Sequence, residues 1–328
     1  MITMNITMKK NSVLRTSLTL LLLLSMLLAG CVQTNDTYEI GVVTSLTGNG
    51  ANLAVPWVQG MELAADEINE NGGVNGMPIK IVVQDDKFNP AETTTATQFI
   101  LANNNPSVLT TLFEVATQAM GPISNEYEVP MLTTSFSREI LEKDPYAFKI
   151  NFDALHGCEQ MVQYAKDNNL YTKLGVLMSQ VGYNQDCIKG VKNAESAVVE
   201  EWYTFGETDY RTQLIKLQEA GVDAIITVGI DFEYVEMFDQ ITELGYDTDF
   251  YCATASECIF NEGLATAAQE MSGDVYGIDF FDPNQLPESD FARTYEANYE
   301  KAQGIVLTYS AIGYDQTYMF KQIFENCQ

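Results

Sequence analysis

The fold is decided by a short stretch near the N-terminus, Tyr38-Glu39-Ile40-Gly41-Val42-Val43. This apolar run has the length of one buried strand, and the glycine-rich turn Thr47-Gly48-Asn49-Gly50 follows it. From Asn52 to Asn71, apolar residues then recur at helical spacing until Gly72-Gly73 ends the pattern. A strand, a turn and a helix in this order are the opening of an α/β fold.

The same alternation continues through the rest of the chain. Further strands are predicted at 79–83, 108–112, 130–133, 146–150, 173–177, 223–228, 250–253 and 275–279. Further helices are predicted at 91–102, 116–127, 154–167, 184–198, 209–220, 232–244 and 309–324. Strands that are separated by helices and consist of continuous apolar runs indicate parallel sheets covered on both faces.

A spaced motif repeats once within the chain. Ile40-Gly41-Val42-Val43-x-Ser45-x-x-Gly48 returns as Leu174-Gly175-Val176-Leu177-x-Ser179-x-x-Gly182 with identical spacing. A repeat of this kind favours two similar lobes, each opening with the same strand and turn. Because glycine-containing buried strands are common in α/β proteins, a chance match stays open as the alternative.

The first residues have the features of an export signal. Lys9, Lys10 and Arg15 precede the uncharged run 17–29, which is shorter than the roughly 20 residues of a membrane-spanning helix. The run ends in Leu28-Ala29-Gly30-Cys31. This ending resembles the lipobox of prokaryotic lipoproteins, where the leader is cut before a cysteine that carries lipid. An ordinary leader followed by an unrelated cysteine is the alternative.

The lipobox resemblance implies three N-terminal features. They are a signal peptide over residues 1–30, a lipid on Cys31 and a polar tether over 31–37. No later segment is apolar enough to span a membrane. We therefore expect an extracytoplasmic protein whose lipid anchors it to the membrane.

The charge of the chain excludes one class of partner. Among 328 residues, 45 are acidic and 17 are basic, which gives a formal charge of −28. Removal of the leader takes away three bases and no acids, so the mature chain carries −31. A protein this acidic is not expected to bind nucleic acids or other polyanions. The apolar content of 46% is ample for a folded core, which excludes a disordered acidic tail.

The predicted export affects the interpretation of the cysteines, because disulfides can form outside the cytoplasm. With one cysteine assigned to lipid, five remain, namely Cys158, Cys187, Cys252, Cys258 and Cys327. Their odd number leaves at least one unpaired within the chain. Cys252 and Cys258 either close a small disulfide loop or are two buried thiols.

Catalytic and cofactor motifs are absent or incomplete. His156 is the only histidine and no C-x-x-C motif occurs, so the sequence offers few residues for a metal site or for histidine-based catalysis. Gly48-x-Gly50-x-x-Leu53 matches part of a dinucleotide fingerprint but lacks its third glycine. Asp85-Asp86 closes a strand, where loop capping is a better interpretation than a catalytic or metal-binding pair. We predict no enzyme activity, no cofactor and no metal.

Several motifs in the first third of the chain occur together in one known family. They are Ile40-Gly41-Val42-Val43-Thr44-Ser45-Leu46-Thr47-Gly48, Gly60-Met61-Glu62-Leu63-Ala64, Glu67-Ile68-Asn69-Glu70-Asn71-Gly72-Gly73-Val74-Asn75-Gly76 and Asp85-Asp86. Together they resemble the branched-chain amino-acid (leucine/isoleucine/valine) type of type I periplasmic binding proteins, which capture ligands for ABC importers. The similarity extends more loosely over essentially all of the mature chain.

The resemblance implies an α/β fold of two doubly wound parallel-sheet lobes joined by a multi-strand hinge. The N-terminal lobe would comprise 38–150 plus 283–328, and the C-terminal lobe 151–282. A small-molecule ligand would bind between the carboxyl ends of the two sheets. The lobes would close over it, and the ABC permease and ATPase subunits would be the partners of the closed form. A ligand-binding subunit of a sensory or chemoreceptor system has the same fold and stays an alternative.

The resemblance also gives a candidate ligand site. Glu114 falls in a loop that leads into a helix, and Ser135 and Ser137 fall in a second loop of the first lobe. Ser135 would offer a backbone carbonyl to a ligand ammonium, and Ser137 a hydroxyl and an amide to a ligand carboxylate. The remaining candidates are Tyr183, Asp231 and Thr254 in the second lobe and Leu53 in the first.

Glu114 departs from the family pattern. Amino-acid binders usually place a serine hydroxyl there, and a glutamate repels a ligand carboxylate unless it is protonated or turned away. Either the ligand is not a plain α-amino acid, or the local alignment is shifted by one residue. Our hypothesis is that Glu114 and Asp231 face the cleft and favour a cationic ligand, or one with several hydrogen-bond donors. A solvated surface position for either acid is the alternative.

Two further departures lead to structural expectations. Phe88 and Phe113 fall where leucine binders have a disulfide in the first lobe, so an aromatic contact is expected to replace that bond. The sequence ends at Gln328, soon after the helix over 309–324, whereas family members continue through a further hinge segment and strand. If the first lobe is incomplete, apolar surface should be exposed beside that helix.

Overall fold

The computed structural model of the protein describes residues 37–151, 153–254, 258–259, 262–278, 289–299 and 304–326. The predicted leader, the lipid-carrying Cys31 and Cys327 lie outside these residues. The predicted return of the chain to the first lobe near residue 283 also lies outside them.

The first lobe is built on a five-stranded parallel sheet with the order β2-β1-β3-β4-β5. Its strands are β1 (Tyr38–Thr44), β2 (Ile79–Asp85), β3 (Pro106–Thr111), β4 (Met131–Thr133) and β5 (Ala147–Lys149). The helices between them are α1 (Ala51–Glu70), α2 (Pro90–Asn103), α3 (Glu114–Tyr127) and α4 (Glu139–Lys143). Because every strand pair is parallel, all the carboxyl ends lie at one edge of the sheet.

The second lobe repeats this plan with the strand order β7-β6-β8-β9-β10. Its strands are β6 (Leu174–Ser179), β7 (Val199–Tyr203), β8 (Ala224–Thr227), β9 (Asp249–Cys252) and β10 (Val275–Gly277). Its helices are α5 (Ala154–Asp167), α6 (Gly182–Ala194), α7 (Arg211–Glu219), α8 (Asp231–Glu243) and α9 (Glu262–Glu270). Two more helices follow, α10 (Asp290–Asn298) and α11 (Gly304–Asn326).

Each sheet is buried on both faces, as the continuous apolar strands predict. In β1, Ile40 and Val42 belong to the apolar cluster formed with α1 and α11, whereas Val43 faces the cluster formed with α2 and α3. In β6, Val176 packs towards α5 and α6, and Leu177 packs towards α7 and α8. Successive side chains of a strand point to opposite faces, so an apolar residue at every position needs helices on both sides.

The repeated motif marks strands in equivalent positions. β1 and β6 are each the second strand of their sheet, next to the edge strands β2 and β7. A Cβ on Gly41 would lie 2.8 Å from Leu109 Cδ2, and one on Gly175 would lie 2.8 Å from Val222 Cγ1. Both glycines therefore leave room for a neighbouring apolar side chain against the strand, which explains why the glycine recurs.

The helix predicted over 184–198 is wrong at its C-terminal end. α6 ends at Ala194, and β7 begins at Val199 on the edge of the second sheet. Four of the five residues of β7 are only half-buried, and Glu200 and Glu201 occupy its centre. Charged side chains are common on edge strands because they discourage further pairing, and they hide the apolar signal of a strand. The short helices α4, α9 and α10 were also not predicted.

Helix α11 packs on α1 through backbone contact. A Cβ on Gly60 would lie only 1.9 Å from the carbonyl oxygen of Ser310, so only glycine allows this approach. Beside the glycine contact, Trp57 Nε1 donates to Gln316 Oε1 at 3.1 Å, and Gln316 Nε2 donates to Thr110 Oγ1 at 2.8 Å. The last helix is thereby tied both to the first helix and to the end of β3.

The apolar surface predicted beside the last helix is present as a groove of about 670 Å³. One side is formed by Phe320, Ile323 and Phe324 of α11. The other residues that line it are Tyr38, Ser107, Val108, Pro130, Met131, Leu132 and Phe148. Phe148 is 57% exposed and Ile323 is 44% exposed, so the groove opens to the surface of the lobe.

Two disulfides lie in the second lobe. Cys252 and Cys258 are bonded, with their Cα atoms 6.5 Å apart, so the small loop is the correct alternative for this pair. Cys158 of α5 is bonded to Cys187 of α6, a pairing that the sequence did not single out. Among the helices that the structure describes, none combines the length and the apolar character needed to cross a bilayer.

Candidate ligand-binding cleft

A cavity of about 50 Å³ lies where the carboxyl ends of the two sheets meet. The first lobe contributes Leu112, Phe113, Glu114, Thr134, Ser135, Phe136, Tyr309 and Ile312. The other lining residues are Asn151, Tyr183, Val228, Gly229, Ile230 and Thr254. Open α/β sheets bind ligands at this edge, because loops from several strands converge there.

Glu114 is the first residue of α3 and is only 6% exposed. Its Oε2 accepts a hydrogen bond from the hydroxyl of Ser135, and its Oε1 accepts one from Gln118 Nε2 at 3.2 Å. The amide of Ser135 in turn donates to Thr133 Oγ1 at 3.1 Å, which fixes the loop after β4. The carboxyl group is thus held at the N-terminal end of a helix, where the helix dipole favours negative charge.

Glu114 is the acid among the described residues that line the cavity. Burial raises the pKa of Glu114, while the hydrogen bonds from Ser135 and Gln118 work in the opposite direction. Among the lining residues that the structure describes, none is a lysine or an arginine. Lys149 of β5 donates to the carbonyl oxygen of Phe136 at 3.2 Å, and burial lowers the pKa of its ammonium group.

The wall from the second lobe is an ordered set of hydroxyls and backbone groups. Thr254 Oγ1 lies 2.8 Å from the hydroxyl of Tyr234 and donates to the carbonyl of Gly229 at 3.1 Å. The amide of Gly229 donates to the Tyr234 hydroxyl at 3.0 Å. Asn184 of α6 supports the same wall by donating to the carbonyl of Val228 at 3.0 Å. The polar atoms of this wall are therefore held in place before any ligand arrives.

The two lobes touch each other around the cavity. Asn52 of α1 donates to Asp231 Oδ2 at 2.5 Å. On the other side, Asp186 of α6 accepts hydrogen bonds from the amide of Arg138 at 2.9 Å and from Ser137 Oγ at 3.3 Å. These contacts join residues of the two lobes, so the structure is a closed arrangement of the lobes.

The predicted site residues fall into three groups. Glu114, Ser135, Tyr183 and Thr254 line the cavity. Ser137 and Asp231 lie at the contacts between the lobes instead of on the cavity wall. Leu53 is fully buried in the apolar core of the first lobe.

Several lining residues were not singled out from the sequence. Asn151 follows β5, and its side-chain amide donates to the carbonyl of Thr134. Tyr309 and Ile312 come from α11, far along the chain from the strand ends that they face. Val228 directly follows β8, where apolar residues are expected to be core, and Ile230 belongs to the same turn as the predicted Asp231. No local motif identifies Asn151, Val228 or Ile312, because their role depends on packing between distant segments.

The aromatic contact expected in place of a disulfide is present. The ring centroids of Phe88 and Phe113 lie 4.9 Å apart, and the rings are nearly perpendicular at 83°. Edge-to-face pairs of this kind are favourable because the positive ring edge meets the negative face. Phe88 also approaches Phe232 of the second lobe, with 6.3 Å between the centroids.

The adjacent acids Asp85 and Asp86 cap the loop that follows β1. Asp85 accepts from the amide of Leu46 at 2.9 Å and from Thr47 Oγ1 at 2.6 Å, and Asp86 accepts from Ser45 Oγ at 2.7 Å. Burial opposes ionisation of Asp85, but these hydrogen bonds lower its pKa overall. In the part of the chain that the structure describes, no group of three or more acidic, histidine or cysteine side chains is arranged to hold a metal ion.

Comparison with known proteins identifies the family. A family model described as periplasmic binding protein matches residues 37–328. The Leu/Ile/Val-binding protein of Escherichia coli strain K12 is 21% identical over 258 residues, which is 74% of this chain and 70% of that protein. The chain belongs to the periplasmic binding protein family.

Solved structures share the fold. The branched-chain amino acid transporter substrate-binding protein LivJ of Streptococcus pneumoniae, in complex with isoleucine, matches with a TM-score of 0.74 and 21% identity, covering 87% of this chain and 83% of LivJ. A fatty acid ABC transporter substrate-binding protein of Thermomonospora curvata matches with a TM-score of 0.75 and 20% identity, covering 89% of this chain and 76% of that protein. The two-lobed type I fold is therefore confirmed, and it serves relatives with chemically different ligands.

Proposed function

We propose that the chain is the solute-binding lipoprotein of an ABC importer. In this role it captures a small polar ligand, an amino acid or a related amine or amide, in the cleft between the lobes. The observation that carries the proposal is the cavity enclosed by strand ends of both lobes. Its wall combines apolar side chains with a few ordered polar groups, which is the usual composition of a small-molecule site.

Glu114, Ser135, Tyr183 and Thr254 are the proposed ligand contacts. Glu114 and Ser135 offer hydrogen-bonding groups from the first lobe, and Tyr183 and Thr254 offer hydroxyls from the second. A ligand that bonds to both walls gains its full binding energy only when the lobes are closed. Binding would therefore shift the population from open to closed, and the permease would receive the closed form.

Ser137 and Asp231 have a second role in this proposal. Each forms a polar contact between the lobes, Ser137 with Asp186 and Asp231 with Asn52. Such contacts stabilise the closed form without touching the ligand. Leu53 supports the wall from the core behind it.

The lipid anchor completes the proposal. The leader ending at Cys31 would be removed, and lipid on Cys31 would keep the protein on the outer side of the membrane. A Cys31→Ser variant is expected to leave the membrane fraction, and the intact mass of the wild type is expected to exceed that of residues 31–328 by the mass of the lipid. Recovery of an unlipidated wild type from the soluble fraction would contradict the anchor.

The function is tested by native mass spectrometry of the purified mature protein, which weighs any co-purified solute. Small-angle X-ray scattering then compares the protein stripped of that solute with the protein after it is added back. We expect a smaller radius of gyration when the solute is bound. In the source cell, deletion of the gene should abolish uptake of the same solute. If uptake persists and only a sensory response is lost, the importer assignment is wrong and the sensory alternative is correct.

A further inference from the structure

The cavity has an unusual set of side chains for a site that is to hold a zwitterion. Its lining includes four aromatic residues, Phe113, Phe136, Tyr183 and Tyr309. In the described part of the chain the lining includes one acid, Glu114, and no lysine or arginine. A ligand carboxylate would therefore meet no cation on the wall, whereas a ligand cation would meet both a carboxyl group and aromatic rings.

Glu114 also fills the position that a ligand anion would need. The N-terminal end of α3 and the hydroxyl of Ser135 are the groups of the first lobe suited to a carboxylate, and the Glu114 side chain already engages that hydroxyl. A second carboxylate at this place would be repelled by the first. The protein's own acid thus stands where the carboxylate of an amino-acid ligand would otherwise bind.

We propose, on the basis of the proposed function, that the physiological ligand is a small organic ammonium ion without a carboxylate, held by Glu114 within the aromatic wall. The ammonium charge pairs with the buried carboxylate, and its alkyl groups contact the rings. Cations bind over aromatic faces because the ring quadrupole attracts them, and alkylated ammonium ions suit such sites because they need few hydrogen-bond acceptors.

The other charges near Glu114 are compatible with this ligand. Glu139 of α4 adds negative potential at Glu114. Asp186 of α6 lies on the opposite lobe next to Ser137. Lys149 of β5 also acts on Glu114, but its ammonium group donates to the carbonyl of Phe136 and it does not line the cavity. Glu139 and Asp186 are themselves paired with Lys143 and Lys189, so Glu114 is the acid that the described cavity wall presents to a cationic ligand.

The size of the cavity limits the ligand. It encloses about 50 Å³, which favours a compact ligand. Tetramethylammonium is a compact member of the proposed class.

Proton release on binding offers a second way to detect a cationic ligand at Glu114. Burial raises the pKa of Glu114 in the ligand-free protein, and a bound cation would favour its ionised form. Binding of an ammonium ion should therefore release protons near the pKa of Glu114. Affinity should rise with pH through that range, with Glu139 and Lys149 as the neighbouring charges that act on Glu114.

The test uses calorimetric titration of the mature protein with three probes, namely tetramethylammonium chloride, tert-butanol as a neutral probe of the same shape, and L-leucine. We expect tetramethylammonium to bind, tert-butanol to bind at least about 10-fold more weakly, and L-leucine not to bind. Glu114→Gln should weaken tetramethylammonium binding by about 100-fold, because one partner of a buried ion pair is lost. Asp144→Asn is the matched control, since Asp144 is a buried acid of the same lobe that does not line the cavity. This variant should bind tetramethylammonium as tightly as the wild type does.

A second variant covers the case in which Glu114→Gln does not fold. Phe136→Leu removes one ring and should weaken tetramethylammonium roughly 2- to 30-fold while leaving tert-butanol binding unchanged. Tighter binding of L-leucine than of tetramethylammonium would overturn the inference and leave the solute-binding function intact, as would equal affinity of wild type and Glu114→Gln for tetramethylammonium. If no probe binds and native mass spectrometry finds no co-purified solute, both the inference and the proposed function are overturned.

Discussion

The backbone amide of Arg138 in the first lobe donates a hydrogen bond to Asp186 Oδ2 in the second lobe at 2.9 Å. Asp186 is 5% exposed and also accepts from Ser137 Oγ and from Lys189 Nζ. One carboxylate thus collects donors from both sides of the cleft. Opening of the lobes would separate it from the two donors of the first lobe, while its contact with Lys189 would remain.

Asp186→Ala should weaken ligand binding by destabilising the closed form. Loss of hydrogen bonds to a charged acceptor costs about 1.5–3 kcal/mol, which corresponds to roughly 10- to 150-fold in affinity. The measurement is calorimetric titration with the co-purified solute, combined with scattering to compare the radius of gyration. Asp167→Ala, an exposed acid on α5, is the control and should bind as the wild type does. Unchanged affinity in Asp186→Ala would show that the contact does not contribute to closure.

The edge-to-face pair of Phe88 and Phe113 should contribute to the stability of the first lobe. Phe113 is 7% exposed, so Phe113→Ala is expected to lower the free energy of unfolding by about 3–5 kcal/mol. Phe88→Ala should cost less, because Phe88 is only half-buried. A double-mutant cycle in urea should give a coupling of about 0.5–1.5 kcal/mol. If the two changes lower the free energy of unfolding additively, the contact makes no contribution. Phe99→Ala is the surface control, because Phe99 is 51% exposed.

Glu233 should make stability depend on pH in an unusual direction. It is fully buried at the start of α8, its Oε2 accepts from the amide of Ile230 at 3.2 Å, and burial raises its pKa from 4.5 to about 7. Between those two pH values the folded chain keeps a proton that the unfolded chain has lost, so stability falls as the pH rises from about 4.5 to about 7. The loss is complete above the upper value.

Glu233→Gln removes this proton linkage while keeping an oxygen that can accept from Ile230. The variant should be more stable than the wild type by roughly 3 kcal/mol at about pH 8, and nearly equal to it at about pH 4. Urea unfolding at the two pH values measures the difference. Asp239→Asn changes an exposed acid on the same helix, and its stability should equal that of the wild type at both pH values. A difference between Glu233→Gln and wild type that does not change with pH would contradict the shifted carboxyl.

Gly60→Ala should disturb the cleft from a distance. The added Cβ would lie 1.9 Å from the carbonyl oxygen of Ser310, so α1 and α11 must move apart. Overpacking of this kind typically costs about 1–3 kcal/mol, and here it also displaces Tyr309 on the cavity wall. We expect a lower melting temperature together with weaker ligand binding. Asp66→Ala, an exposed change on the same helix, should affect neither property. Normal ligand binding in Gly60→Ala would show that the contact between α1 and α11 does not influence the site.

The fold was predictable where the signal is local. The buried run of β1 and the helical spacing after Gly50 give the first βα unit, and the repeated motif gives the equivalent strand β6. β7 was missed because it is an edge strand whose central Glu200 and Glu201 carry no apolar pattern. Edge strands need only one paired neighbour, so their sequences are less constrained than those of central strands.

The candidate site was predictable only in part. Glu114 and Ser135 come within two residues of the ends of predicted strands, and the carboxyl ends of parallel strands are where a cleft is expected. Asp231 also follows a strand, yet it contacts Asn52 between the lobes, because one residue further along a loop is enough to turn a side chain away from the cavity. Tyr309 and Ile312 could not be found in this way, since a helix residue acquires such a role only through the packing of α11 on the first lobe.

The glycine contact between α1 and α11 has a consequence for the order in which the protein assembles. The strands and helices of the second lobe lie in one continuous stretch from Ala154 to Gly277, so this lobe contains all its partners as soon as that stretch is available. The first lobe cannot cover Trp57 and the neighbouring face of α1 until α11, the last helix, has arrived. We therefore expect the lobe that begins the chain to complete its core later than the second lobe, and its apolar face on α1 to stay exposed until then.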